Sequence, residues 1–202
     1  MKILCAFLIA AGLFLASRAA RADEVGFLSR YGFGMSIGAG VTGFVNDDTR
    51  EATHPGGAWD VRIAGGTRLP VSFELAYVGS AQAIDAIGLD PDAILFGTGV
   101  EGAARYNLRA GAARAYVLAG AGWIRYEVAN AQSNTSSLNS SDDVATLPIG
   151  AGIDVRFDPL VLDARVVVRA TFDSEILPDS RAPGNPTRLD SASLLARVGF
   201  EF

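Results

Sequence analysis

The chain has 202 residues, 50% of them apolar, with 23 glycines and a formal net charge of -5. That apolar content excludes a disordered polyelectrolyte, and the acidic balance argues against nucleic acid as a partner, which would require a cationic patch. At the N-terminus, Lys2 precedes an apolar run from Ile3 to Ala16, and Ala20-Arg21-Ala22 supplies small residues ahead of a cleavage point. This is the pattern of a secretory signal peptide over 1–22 with a mature start at Asp23. The run is too short for a transmembrane anchor. Cys5 is the only cysteine, and removal of Lys2, Arg18 and Arg21 would leave 14 arginines, no lysine and 22 acids, a charge of -8. Disulfide and thiolate chemistry are thereby excluded from residues 23–202.

Beyond a linker to Tyr31, apolar and polar residues alternate with a period of two, the signature of strands. The first stretch, Phe33 to Val45, carries Met35, Ile37, Ala39 and Val41 on one face and small residues on the other. A polar connection from Asn46 to Gly57 follows. The second strand runs from Trp59 to Leu69, with Asp60, Arg62 and Arg68 opposite Val61 and Ile63, and turns at Pro70, which fixes φ and cannot donate to a ladder. The third, from Val71, sets Phe73, Leu75 and Tyr77 against Ser72, Glu74, Ala76 and Val78. Gly79 to Ala93 is a long connection in which AQAIDAI suggests a helical turn. In the fourth strand, Ile94 to Tyr106, Glu101 and Arg105 oppose Phe96, Val100 and Ala104.

A short turn at 107–113 leads to the fifth strand, Arg114 to Val128. Here Tyr116, Leu118, Ile124 and Tyr126 read as the outward face and Arg125 and Glu127 as inward, with Trp123 sharing the inward parity. A connection rich in Asn, Ser and Thr spans Ala129 to Asp143. The sixth strand, Val144 to Phe157, carries Asp154 and Arg156 inward, and Pro148 is its misfit, tolerable at a bulge. Asp158-Pro159 is a tight turn, and the seventh strand to Phe172 alternates Leu162, Ala164, Val166 and Val168 with Asp163, Arg165 and Arg169. A proline-bearing connection from Asp173 to Asp190 precedes the last strand, where Leu194, Val198, Phe200 and Phe202 oppose Ser193, Arg197 and Glu201.

Eight strands are thus joined by connections that alternate long and short. A soluble sandwich has no reason to keep that rhythm, whereas an up-and-down transmembrane β-barrel keeps short turns on the periplasmic side and long loops outside. The expected fold is therefore all-β, an eight-stranded antiparallel transmembrane barrel over 23–202 with both mature termini in the periplasm. The charges point the same way. Asp60, Glu74, Glu101, Glu127, Asp154, Asp163 and Glu201 share the inward parity with Arg62, Arg68, Arg105, Arg125, Arg156, Arg165, Arg169 and Arg197. Near balance permits a paired network in a lumen, where isolated charges would be too costly. The continuous apolar face then meets lipid. Eight strands leave room only for side chains or one small ligand, so a general porin is not expected. Gly34, Gly38, Gly40, Gly97 and Gly99 would make room for the arginines or ease strand bending, and Phe33, Phe44, Trp59, Tyr77, Tyr106, Trp123, Phe157 and Phe172 near strand ends would partly furnish interfacial girdles, although Trp123 has lumen parity.

In LPVSFELAYVGSAQ (69–82), VEGAARYNL (100–108) and the terminal GFEF (199–202) the chain resembles the small eight-stranded outer-membrane β-barrel proteins, including the transmembrane domain of outer membrane protein A and the Opa-like or porin-family surface proteins. The resemblance implies residence in the outer membrane of a Gram-negative bacterium among its lipids and lipopolysaccharide. It also implies that Phe200 and Phe202 form the terminal signal read by the barrel assembly machinery, after escort by periplasmic chaperones.

Three function classes are open at this level. The first is a structural or surface-interaction barrel whose loops meet adhesive, envelope or other extracellular ligands. Asp47, Asp48, Glu51, Asp85, Asp90, Asp92, Asp142, Asp143, Asp173, Glu175 and Asp179 make that end acidic, without the 12-residue spacing of a calcium loop, so no metal ligands are assigned. The second is a narrow pore for ions or small solutes. The third, a lipid-modifying enzyme, is disfavoured because the only histidine, His54, lies in a polar loop ahead of Pro55-Gly56-Gly57 with no partnered serine on a lipid-facing strand. Catalytic residues and cofactors are therefore not assigned.

Overall fold

Alternating residues cannot sort their apolar and polar groups around a helix, but they do so on the two faces of a strand, and the eight stretches pair in that form. The computed structural model describes residues 30–84, 93–108, 113–129, 141–172 and 189–202. The expected signal peptide lies outside the described residues, as do the loop acids Asp85, Asp90, Asp92, Asp173, Glu175 and Asp179.

The elements in order are β1 (Phe33–Phe44), α1 (Asp47–Ala52), β2 (Gly56–Gly65), β3 (Val71–Ala83), β4 (Ile94–Asn107), β5 (Ala113–Ala129), β6 (Ser141–Phe157), β7 (Leu160–Phe172) and β8 (Ser191–Glu201). Each strand pairs antiparallel with its sequence neighbours, and β1 closes the barrel on β8 with Ala39 opposite Ala196 and Gly34 opposite Glu201. Closure continues past the strands through Phe33 N–H to Phe202 O at 3.2 Å and Phe202 N–H to Phe33 O at 2.8 Å. A closed ladder leaves no unpaired edge, the condition a β-structure must meet to cross a bilayer. No helix among the described residues is long and apolar enough to cross one.

The short connections gather at one end, here the turn end. Phe157 pairs with Leu160 around Asp158 and the cis Pro159. Between β2 and β3 the strand stops at Gly65, not at Leu69 as the alternation suggests, because Gly66 takes φ 75° and bends the chain away from the ladder. Arg68 and Leu69 therefore belong to the turn. At the opposite, loop end, regular structure reaches further than the side-chain pattern implies. β3 continues to Ala83 opposite Ile94, which takes Ala81 to Ala83 of the expected helical turn into the sheet. β6 starts at Ser141, opposite Glu127, so Asp142 and Asp143 sit on a strand. Backbone pairing needs no alternation, and it extends past the apolar band. The connection from Asn46 contains α1, whose Arg50 pairs with Asp47 at 2.7 Å and whose end is tied by Thr53 Oγ1 donating to Thr49 O at 2.7 Å.

The exterior is apolar. Ile37, Phe73, Leu75, Ile149, Ile153, Leu194 and Phe200 are all more than half exposed, Phe73 at 68%. No solvent-facing sheet tolerates such a continuous band, whereas hydrocarbon does.

The fifth strand corrects the expected parity. Tyr116, Leu118, Ile124 and Tyr126 are buried in the lumen, while Trp123, Arg125 and Glu127 are exposed on the outer face. The register places Trp123 beside Val100 and Arg125 beside Thr98, both outward positions of β4. The strand carries arginines of opposite parity, Arg114 near the turn end and Arg125 near the loop end, so either could have set the inward face. Arg114 does, because it meets Asp154 in the low-dielectric interior, whereas Arg125 stands beyond the apolar band where a charge needs no burial.

Candidate functional site

The lumen is stratified. Nearest the loop end lies an apolar layer in which Phe44, Val78, Ile84, Ala93, Leu95, Ile124, Tyr126, Val144 and Leu189 pack together, with the rings of Phe44 and Tyr126 at 6.2 Å. Leu95, Val144 and Leu189 are wholly buried. These residues supply the inward positions at the loop-side ends of their strands, where alternation gives way to apolar residues on both parities. Leu189 is held there by its N–H on Thr171 Oγ1 at 3.0 Å, and Asp190 accepts the Thr171 N–H at 2.7 Å.

Beneath this cap sits one ion pair. Arg169 on β7 donates through Nε to Glu101 Oε1 at 2.5 Å and through Nη2 to Oε2 at 3.1 Å. Its Nη1 reaches Ser193 Oγ at 2.9 Å, whose hydroxyl donates to Thr42 Oγ1 at 2.9 Å. The fork geometry of guanidinium on carboxylate makes such pairs strong as well as directional.

The middle layer contains three arginines and three carboxylates. Glu74 accepts from Arg62 Nη1 at 2.5 Å and from Arg165 Nη1 and Nη2 at 2.9 and 3.2 Å. Asp60 accepts from Arg197 Nε and Nη2, at 2.9 and 2.8 Å, and from Arg62 Nη2 at 3.2 Å. Asp163 accepts from Arg197 Nη1, from the Tyr116 hydroxyl and from Arg165 Nε at 3.3 Å. Gly38 makes space for this layer, since a Cβ there would stand 2.5 Å from Arg197 Cγ and 2.8 Å from Asp60 Oδ1.

At the turn end, Asp154 is ringed by Arg105, Arg114 and Arg156. Arg114 grips it through Nε and Nη2, both at 3.0 Å, Arg105 donates through Nη2, and Arg156 Nε stands 3.6 Å away. Arg105 lies over the Tyr116 ring, 3.5 Å from its centroid, a cation–π contact in a desolvated setting. Arg156 and Arg68 both pair with Glu201, at 2.6 and 3.2 Å.

Of the residues the sequence assigns to a lumen network, Asp60, Arg62, Glu74, Glu101, Arg105, Asp154, Arg156, Asp163, Arg165, Arg169, Arg197 and Glu201 face the interior in these three groups. Arg125 and Glu127 do not. They pair with each other outside at 2.8 Å, with Asp143 3.7 Å from Arg125. Arg114, Tyr116, Leu118, Ile124 and Tyr126 are the interior residues of β5 that sequence reasoning missed, and the even parity of Arg114 was their one signal; Phe44, expected in an interfacial girdle, is buried in the apolar cap instead. Phe200 points outward into the apolar band, and Phe202 follows the last strand. His54 stands exposed at the loop end, its backbone N–H on Ala83 O at 3.0 Å. Among the described residues no group of three or more His, Cys, Asp or Glu side chains converges to hold a metal ion.

A closed eight-stranded ladder, an apolar wall and a paired charged interior together define the architecture. No family model matches the chain, and no curated protein matches it. Solved structures do. Ail, the attachment invasion locus protein of Yersinia pestis, superposes with a TM-score of 0.55 at 13% identity over 85% of this chain and 98% of Ail. Neisserial surface protein A gives 0.57 at 15% identity over 85% of this chain and 97% of its own. The N-terminal β-barrel domain of Pseudomonas aeruginosa OprF gives 0.50 at 14% over 84% and 97%. The chain has the fold of the small outer-membrane β-barrels. At these identities the likeness carries architecture alone. What the loops and lumen do in this barrel depends on its own residues.

Proposed function

We propose that the protein is an outer-membrane barrel whose work is structural or surface interaction, performed at the loop end while the barrel serves as anchor. The observation that carries this reading is the filled lumen: paired arginines and carboxylates occupy its middle and turn end, and the apolar layer from Phe44 to Leu189 packs across the loop end. A lumen so occupied supports neither a solute path nor a reaction centre, which leaves the loop end as the place for contact. Two proteins of similar fold, an attachment invasion locus protein and a surface protein, favour the same class.

On this reading residues 1–22 are a signal peptide, both mature termini lie in the periplasm, and Phe200 and Phe202 are recognised by the barrel assembly machinery after periplasmic chaperones deliver the chain. Location is tested with cysteine substitutions, since Cys5 is the only native cysteine. In intact cells an impermeant maleimide should label Ser136→Cys and spare Asp158→Cys until the outer membrane is permeabilised; the reverse pattern would invert the topology. Contact is tested by shortening the 130–140 and 173–188 connections. Variants that still migrate in the compact form before heating should lose attachment of the expressing cells to protein- and glycan-coated surfaces. Attachment indistinguishable from that of the intact protein would remove the loops from the function.

A further inference from the structure

The charge layers are not equally balanced, and the imbalance has a location. Arg169 faces Glu101 one to one, and Arg62, Arg165 and Arg197 face Asp60, Glu74 and Asp163 three to three. At the turn end, Arg105, Arg114 and Arg156 meet Asp154 and Glu201, and Arg105 Nη1 also stands 3.6 Å from Glu74 Oε1, which already serves Arg62 and Arg165. Over the three groups, the seven arginines Arg62, Arg105, Arg114, Arg156, Arg165, Arg169 and Arg197 face the six carboxylates of Asp60, Glu74, Glu101, Asp154, Asp163 and Glu201, so one guanidinium charge is left over, and Arg68 at the mouth also leans on Glu201. Arg105, Arg114, Arg156, Asp154 and Glu201, together with Glu74 and Asp163 of the middle layer, line a cavity that opens at the turn end, with Ser36, Gly34 and Gly199 on its β1 and β8 walls. Two guanidinium N–H groups in its wall, Arg62 Nε and Arg156 Nε, are buried without an acceptor.

An uncompensated cation in a low-dielectric lumen is costly, and buried donors without acceptors each add to that cost. Arginine forks match tetrahedral oxyanions in geometry as well as charge. We propose that this turn-end vestibule binds one small tetrahedral oxyanion of the phosphate class, held by the arginines around Asp154 and completing their charge balance. The apolar cap makes the vestibule blind, so the anion enters and leaves through the turn end.

The test is calorimetric titration of inorganic phosphate into the full detergent-folded protein in a chloride-free gluconate buffer of fixed ionic strength. The wild type should take up phosphate saturably at one per chain. Arg156→Gln should weaken uptake at least tenfold, while Arg125→Gln, on the outer face, should leave it unchanged. Ser36→Asp provides a second variant that does not remove an arginine. It places a carboxylate on the vestibule wall and should abolish phosphate uptake by supplying the missing counter-charge internally. Absence of saturable uptake by the wild type, which would mean that water alone fills the vestibule, would overturn the proposal. So would equal loss in Arg125→Gln and Arg156→Gln, or full uptake by Ser36→Asp.

Discussion

At the scale of single residues, the value of a charge in this protein depends on which side of the wall it lies. Arg114 is buried and bidentate on Asp154, and removing one partner of a buried pair leaves the other uncompensated. Arg114→Ala should therefore destabilise the folded barrel by about 3 to 5 kcal/mol. Arg125, with a side chain 45% exposed beside Glu127, should cost at most about 1 kcal/mol on the same substitution. Urea unfolding in lipid vesicles would measure both, and equal losses would contradict the assignment of β5. This strand also shows where legibility in the sequence ended. In β7, Asp163, Arg165 and Arg169 share one parity, so the inward face could be read directly. In β5 the charges fall on both parities, and the tyrosines that fill the lumen have the amphipathic character of residues at a lipid interface. Only the ladder register of Trp123 with Val100 decides between them.

At the scale of the strand, alternation records the environment of each face, and it does so only inside the apolar band. β7 remains inside that band for nearly its whole length, and Val168 points outward opposite Ile149 and Ala192. Val168→Arg should cost about 2 to 4 kcal/mol if it meets the membrane midplane, measured as a lowered unfolding free energy in vesicles; an unchanged value would mean that this face does not touch lipid. β6, at 17 residues, outruns the band, and its ladder therefore begins at Ser141, ahead of the alternation that starts at Val144. Trp123 supplies a second check on β5. In Trp59→Phe protein, which leaves it as the sole tryptophan, brominated lipid should quench its fluorescence strongly. A tryptophan facing the lumen would be spared. The six-residue α1 was invisible in the sequence for a different reason: NDDTREATHPGG has no apolar period, and the helix is fixed by local bonds and by Thr53 bridging to Ile84.

At the scale of the molecule, the fold was legible because several independent features agree: eight alternating stretches, long and short connections in turn, and nearly equal numbers of inward acids and arginines. The lumen was less legible. Pairings such as Glu74 with Arg165 and Asp60 with Arg197 join strands distant in sequence, and side-chain parity cannot say which carboxylate each guanidinium will reach. The apolar cap was missed for a related reason, since Leu95, Val144 and Leu189 become neighbours only when the barrel closes. That cap, with the Arg169–Glu101 pair directly beneath it, is what makes the barrel an anchor for its loops and not a conduit. Single-channel recording in planar bilayers tests this most directly. The account predicts no stable openings above control for the wild type. A sustained conductance that changes with Arg169→Ala would contradict it and place solute movement through the lumen at the centre of the protein's function.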